Sequence, residues 1–152
     1  MESRPLQEEF LRAVHRFGRL NWNLASGSLT KGEYFTLSII RRHLLAHPEY
    51  KGMYVSELAE RLHVTSPAVS RMLGALERQS LIARSVDQDD RRTTYIVLTP
   101  QGEVRWAECR KRVQDFTDRV VGRMGAAELE TLIVGWNHLA DVLEDELKSK
   151  GD

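Results

Sequence analysis

Ser56-Glu57-Leu58-Ala59-Glu60-Arg61-Leu62, then His63-Val64, then Thr65-Ser66-Pro67-Ala68-Val69-Ser70-Arg71-Met72-Leu73-Gly74-Ala75-Leu76-Glu77-Arg78-Gln79, is the stretch on which the fold turns. It contains two helical patterns and a short break. Leu58, Ala59 and Leu62 share one face of the first helix; Val69, Met72, Leu73 and Leu76 share one face of the second. Thr65 and Ser66 are both good N-caps, and Pro67 stands in a first turn, where its missing N–H is not needed. Ala59 is small where the helices must cross closely. Val64 is expected to plug the turn into the core, and Val69 and Met72 to close the second helix over the first. Two short helices so joined make a rigid wedge, and the second has the dimensions of a helix that enters the major groove of B-DNA.

Downstream, 81–86 reads as a strand, 87–94 as a charged loop and 95–98 as a second strand. Together they predict a hairpin with a long polar tip, a wing beside the helix pair. Thr99-Pro100 starts a long helix that reaches about Met124, with Val104, Val113, Phe116, Val120 and Met124 recurring, and Gly125 breaks it. A last helix carries Leu129, Leu132, Ile133, Trp136, Leu139, Ala140, Leu143 and Leu147. Upstream, Leu6, Phe10, Ala13, Val14, Phe17 and Leu20 repeat at helical spacing, until Ser26-Gly27-Ser28. Thr30 with Glu33 predicts a capping box for a helix that turns Tyr34, Leu37, Ile40, Leu44 and Leu45 inward and stops at His47, before Pro48. Met53-Tyr54-Val55 is a short apolar piece. The fold class is mainly α with a small β-hairpin wing.

Candidate DNA contacts follow from this placement. Thr65, Ser66, Pro67, Ser70 and Arg71 lie at the start and on the outer face of the second helix, where Gly74 keeps the surface slim. Serine suits phosphate, and arginine can grip guanine with two bonds. In the hairpin tip, Asp90, Arg91 and Arg92 form a second reader: an arginine there suits the minor groove, and Asp90 is expected to hold Arg92 by an ion pair. A solvated helix face and an ordinary charged turn are the plainer readings of the same residues.

The chain has 152 residues, enough to bury a core without disulfides or metals, and its single cysteine, Cys109, allows no intrachain disulfide. The charged N-terminus lacks the apolar run of a signal peptide, and no stretch is apolar enough for a membrane helix. A cytoplasmic location is expected. Lys plus Arg equals Asp plus Glu at 22 each, yet the distribution is uneven. Residues 61–95 hold six arginines against four acids, a net of +2, and the chain from Ala126 onward holds two lysines against seven acids, a net of −5.

Ser56-Glu57-Leu58-Ala59, Val64-Thr65, Ala68-Val69-Ser70-Arg71, Leu76-Glu77, Leu81-Ile82, Arg84, Asp90-Arg91-Arg92 and Leu98-Thr99-Pro100-Gln101-Gly102 together resemble the MarR family of bacterial regulators. The resemblance implies a single domain over 1–152, with a winged helix-turn-helix lobe at about 30–99 and dimerisation helices at about 5–26 and 100–148. It implies a homodimer that reads a palindromic operator in double-stranded DNA, as a repressor released by a small, often aromatic, ligand. It also implies a ligand crevice, for which His15, Arg19, Trp22, Tyr34 and Trp106 are the candidates. Neither a cofactor nor a metal is expected, nor an enzymatic activity. His63 and Ser80 stand where such sequences commonly carry glycine, so both positions are expected to need positive φ.

Two further features suggest other roles. Arg105, Arg110, Lys111 and Arg112 near Cys109 favour a reactive thiolate and hence a redox sensor, although a lone helical cysteine is more often inert packing. His43 and His47 are one helical turn apart, a metal-ligand spacing that would suit a winged-helix module binding metal or protein; the plainer reading is two surface or interface histidines. The Glu that a zinc hydrolase carries beside the first His is missing from His43-Leu44-Leu45-Ala46-His47.

Overall fold

The structure, a computed structural model, describes residues 3–149. Two compact units make up the chain, residues 1–112 and 113–152. The first contains α1 (Ser3–Gly18), α2 (Asn23–Ser26), α3 (Lys31–Ala46), β1 (Met53–Tyr54), α4 (Val55–Leu62), α5 (Ser66–Arg78), β2 (Ile82–Val86), β3 (Thr94–Leu98) and the start of α6 (Pro100–Met124). The second contains the rest of α6 and α7 (Ala126–Ser149).

Local chemistry sets most boundaries. At α3, the Thr30 hydroxyl accepts from the Glu33 N–H at 3.2 Å and the Glu33 carboxylate accepts from the Thr30 N–H at 2.9 Å, the reciprocal capping box. His63 adopts φ 52° and Ser80 φ 59°. Each is the left-handed residue of a Schellman cap. After α4, Val64 N–H bonds Ala59 C=O and His63 N–H bonds Glu60 C=O; after α5, Leu81 N–H bonds Leu76 C=O and Ser80 N–H bonds Glu77 C=O. A side chain in this conformation costs about 1 kcal/mol relative to glycine, and the paired carbonyls offset part of it.

The first helix is shorter than its apolar period suggests. It ends at Gly18 rather than running to residue 26, and α2 follows as a single turn. The Asn21 side chain accepts from the Asn23 N–H at 3.1 Å, a local bond that competes with a continuous helix. Helix α3 ends at Ala46, with His47 as its cap.

The core of the lobe is Leu37 and Ile40 of α3, Met53 of β1, Leu58 of α4, Val69, Leu73 and Leu76 of α5, and Leu81, Ile82 and Ile96 around the sheet. The Thr36 hydroxyl contacts the Met72 sulfur at 2.6 Å and ties α3 to α5. Two expected inward residues of the lobe face out. Leu45 is 65% exposed, because the buried stripe of α3 runs through Thr36, Leu37, Ile40 and His43, and Leu45 lies two residues, about 200°, beyond it. Val64 is 40% exposed; it follows the left-handed His63 in the Schellman turn and lies outside the buried set, to which Leu58 and Val69 belong. On α6, Gly102, Trp106 and Cys109 are the buried residues, spaced four and three apart, and Val104 lies off that stripe and is exposed.

The sheet has three antiparallel strands in the order β1-β3-β2. Met53 pairs with Ile96 and Tyr54 with Tyr95, so the short apolar piece after α3 is an edge strand that anchors the hairpin to the helices. On the other side Ile82 pairs with Leu98 and Val86 with Thr94, which leaves a tip of 87–93. The hairpin is stapled to α6 by Thr99, whose hydroxyl donates to the Ser80 carbonyl at 2.6 Å and accepts from the Gly102 N–H at 3.0 Å. Among the described residues, no helix is long and apolar enough to cross a membrane.

Candidate nucleic-acid interface

Helix α5 is presented by its buried side. Val69, Leu73 and Leu76 lock one face against the core, so Ser66, Pro67, Ser70 and Arg71 on the opposite face are exposed. Thr65 caps the helix, its hydroxyl accepting from the Ala68 N–H at 3.4 Å. Gly74 is half-buried rather than fully on the outer face; a Cβ added there meets only the end of the Arg78 side chain, at 3.5 Å. Gly74→Ala is therefore expected to raise stability by about 0.5–1 kcal/mol through helix propensity. The urea midpoint checks it, and a lowered midpoint would show that the backbone is crowded there.

The hairpin tip is built on two aspartates. Asp87 Oδ1 accepts from the Asp89 N–H at 2.9 Å, and the Asp87 N–H bonds the Thr93 carbonyl at 2.8 Å. Asp90 Oδ1 accepts from the Arg92 N–H at 3.0 Å and Oδ2 from the Thr93 hydroxyl at 2.9 Å. The expected Asp90–Arg92 ion pair is thus replaced by a bond to the Arg92 backbone, since a carboxylate two residues earlier reaches the N–H of a tight turn first. Among the described residues, the Arg91 and Arg92 guanidinium groups take part in no ion pair. They stay exposed, on a turn whose backbone is held.

Helix and hairpin meet at a cleft of about 330 Å³ lined by Ser56, Ser70, Arg84, Arg92, Thr93 and Thr94, together with Val55. It brings Ser70 of α5 and Arg92 of the tip to one surface. Ser56, Arg84, Thr93 and Thr94 are the members that sequence reasoning did not single out as contacts; the Thr93-Thr94 pair directly after Arg92 was the available signal. Arg84 is half-buried and bonded to Glu77 at 2.9–3.0 Å, which ties β2 to the end of α5. Such a surface offers hydroxyl donors and guanidinium charge at the spacing of a helix and its neighbouring hairpin, the chemistry that phosphate oxygens require.

Residues 29–94, the lobe that carries this cleft, match the family model described as MarR family. Residues 29–94 form a MarR-family domain. The HTH-type transcriptional repressor MdtR of Bacillus subtilis is 30% identical over 103 residues, 68% of this chain and 56% of that protein. The chain spans 48–65% of the length of the curated relatives it matches, all named as transcriptional regulators or repressors. Among solved MarR-fold structures, PcaV of Streptomyces coelicolor with its natural ligand superposes with a TM-score of 0.70 at 19% identity, covering 93% of this chain and 96% of that one. A MepR variant of S. aureus bound to an oligodeoxyribonucleotide superposes with a TM-score of 0.56 at 24% identity, covering 91% and 97%. At these identities the two structures speak for the fold.

The crevice candidates of this chain are dispersed in character. His15 and Arg19 are exposed, and Tyr34 and Trp22 are half-buried, with the Trp22 Nε1 enclosed and unpartnered. Trp106 is buried. Its Nε1 donates to the Ser38 hydroxyl at 2.8 Å, Ser38 donates to the Tyr34 carbonyl at 2.7 Å, and the Arg41 guanidinium lies 4.2 Å from its ring centroid. Tyr34 and Trp106 are thus joined through Ser38.

His43 is not a surface residue: it is 3% exposed, with Nδ1 at 3.3 Å from Glu57 and 3.4 Å from Arg61. His47 Nδ1 lies 3.5 Å from Glu49. The two rings are 5.0 Å apart, and both meet Tyr50. Among the described residues, no group of three or more His, Cys, Asp or Glu is placed to hold a metal ion. Cys109 is 1% exposed. Burial pushes its thiol up, and the Arg112 charge pulls it down by less, so the basic neighbours do not make it a ready thiolate.

Proposed function

We propose that the chain is a sequence-specific DNA-binding transcriptional regulator, acting without catalysis. The observation that carries this reading is the shared cleft: Ser70 on α5 and Arg92 on the hairpin tip open onto one hydroxyl- and guanidinium-lined surface. In this arrangement α5 enters the major groove with Thr65, Ser66, Pro67, Ser70 and Arg71 leading. Arg91 and Arg92 reach the adjacent minor groove on a turn held by Asp90. The MepR variant solved with an oligodeoxyribonucleotide shares this fold, which supports the same docking.

The chain acts as a homodimer. Helix α7 has no buried residue, and Leu132, Ile133, Val134, Trp136, Leu143 and Leu147 are exposed along it; Leu6, Leu11, Val14 and Phe17 are exposed on α1. Stripes of this extent on terminal helices suit a second copy of the chain. A two-fold dimer places two α5 helices in successive major grooves of a palindrome. The role of a repressor follows MdtR; release by a small, often aromatic, ligand follows from the resemblance to the MarR family, and PcaV, which shares the fold, has been solved with its natural ligand.

Fluorescence anisotropy tests the reading, with a duplex from upstream of the protein's own gene and a random duplex as control, across a salt series. Tight, sequence-selective binding that weakens steeply with salt is expected, because each neutralised phosphate releases counterions. No binding to either duplex at low salt would overturn it.

A further inference from the structure

A second cleft, of about 410 Å³, lies at the tip end of the hairpin beside β1, with a lining that shares no residue with the cleft of Ser70 and Arg92. Its walls are Tyr50, Tyr54 and Tyr95 and its carboxylates are Glu49, Asp87 and Asp89. We propose that this cleft binds an organic cation of the quaternary-ammonium type.

The argument starts from the lining chemistry. Three phenol rings line the cleft, and electron-rich aromatic faces attract a cation and prefer one with an apolar body. Three carboxylates face one ammonium, that of Lys51, so the lining carries excess negative charge. An anion is repelled by that excess, and a neutral guest would desolvate carboxylates without compensating them. A small metal ion needs three or more converging ligands, and no such group exists among the described residues. A quaternary ammonium satisfies both features at once: it keeps its charge at every pH and asks for no hydrogen-bond acceptor.

The walls are held by the fold before any ligand arrives. The Tyr50 ring stacks on His47 with centroids 4.8 Å apart and planes 11° from parallel. Tyr54 and Tyr95 are register partners of β1 and β3. Asp87 is fixed by the Asp89 N–H at 2.9 Å, and the Tyr54 hydroxyl approaches its other oxygen at 3.5 Å. Neither Asp89 nor Lys51 takes part in an ion pair among the described residues, which leaves the Asp89 charge available. Asp87 and Asp89 also belong to the tip that carries Arg92. If the DNA-binding reading holds, an occupant therefore alters DNA affinity as well.

The test titrates the full chain with choline, and with the neutral isostere 3,3-dimethylbutan-1-ol, by calorimetry. Saturable binding of choline at one site per chain is expected, about ten-fold or more tighter than the alcohol, since only choline carries charge. Tyr50→Ala and Asp89→Asn should each weaken it about five-fold or more, and Lys51→Gln should tighten it. All three positions are solvent-exposed, and circular dichroism confirms that each variant is folded. No saturable binding, equal binding of the two isosteres, or affinity indifferent to Tyr50→Ala and Asp89→Asn would overturn the site. Binding is read without DNA, so failure of the DNA reading leaves this result standing, and the reverse also holds.

Discussion

Arg92→Ala is expected to lower affinity for the operator duplex about ten-fold or more while leaving the melting temperature unchanged. The size follows from an exposed guanidinium that takes part in no ion pair among the described residues, on a turn whose backbone is held by Asp90. Such a group is pre-positioned and undischarged, so its charge is spent on DNA; an arginine contact of this kind is worth about 1–3 kcal/mol. The slope of log affinity against log salt should fall by about one. Arg92→Lys separates the possible causes: it keeps the charge but loses the planar fork, so full recovery points to a purely electrostatic contact and partial recovery to a share from the fork. Asp90→Ala supplies a control of another kind, because it frees the Arg92 N–H and the Thr93 hydroxyl and lets the tip move with the guanidinium intact. Unchanged affinity of Arg92→Ala at physiological salt would remove the hairpin from the interface.

The second large effect is on folding. Gly102→Ala is expected to destabilise the chain by about 3 kcal/mol or more, at the upper end of overpacking, and to lower the melting temperature by roughly 6–12 °C for a chain of this size. Helix propensity alone predicts the opposite, a gain of about 1 kcal/mol. Packing decides the sign. A Cβ on Gly102 runs into the backbone carbonyl of Leu81, a main-chain atom that accepts the Thr99 N–H at 3.1 Å and cannot swing aside. The first turn of α6 must then leave Ser80 and Leu81, and with it goes the Thr99 staple at the base of the hairpin. Gly74→Ala is the matched contrast, with the same substitution in a helix and open space around it. Thermal melts of the two variants side by side check both signs, and a Gly102→Ala melt equal to the parent would refute the close approach.

Much of this was legible in the chain itself. The Thr30–Glu33 box, the Thr65 cap, the break at Gly125 and the positive φ at His63 and Ser80 are short-range events, set by groups within a few residues of one another. The apolar period placed α5 with Val69, Leu73 and Leu76 inward, and so placed Ser66, Ser70 and Arg71 outward. The charged run after β2 announced the tip.

Errors arose where a residue's role depends on a distant partner or on the geometry of a turn. A helical period marks a stripe but not its centre. Leu45 fell outside the Thr36–Leu37–Ile40–His43 stripe and Val104 outside the Gly102–Trp106–Cys109 stripe. The His43 pair looked like metal spacing because the reading could not see Glu57 and Arg61 on the next helix. Asp90 was assigned to a guanidinium, where the turn geometry gives it the backbone.

Contacts a few residues long thus set the order of the main helices and of the hairpin, the caps and the outward face of α5. Only the tertiary structure decided that Met53-Tyr54 is a strand, that Gly102 lies on Leu81, and that Ser70 shares a surface with Arg92. It alone also gathers Tyr50, Tyr54 and Tyr95 around carboxylates from another loop. These are meetings of residues tens of positions apart, and no local preference encodes them; they follow from how the buried faces of α3, α4, α5 and the sheet close on one another.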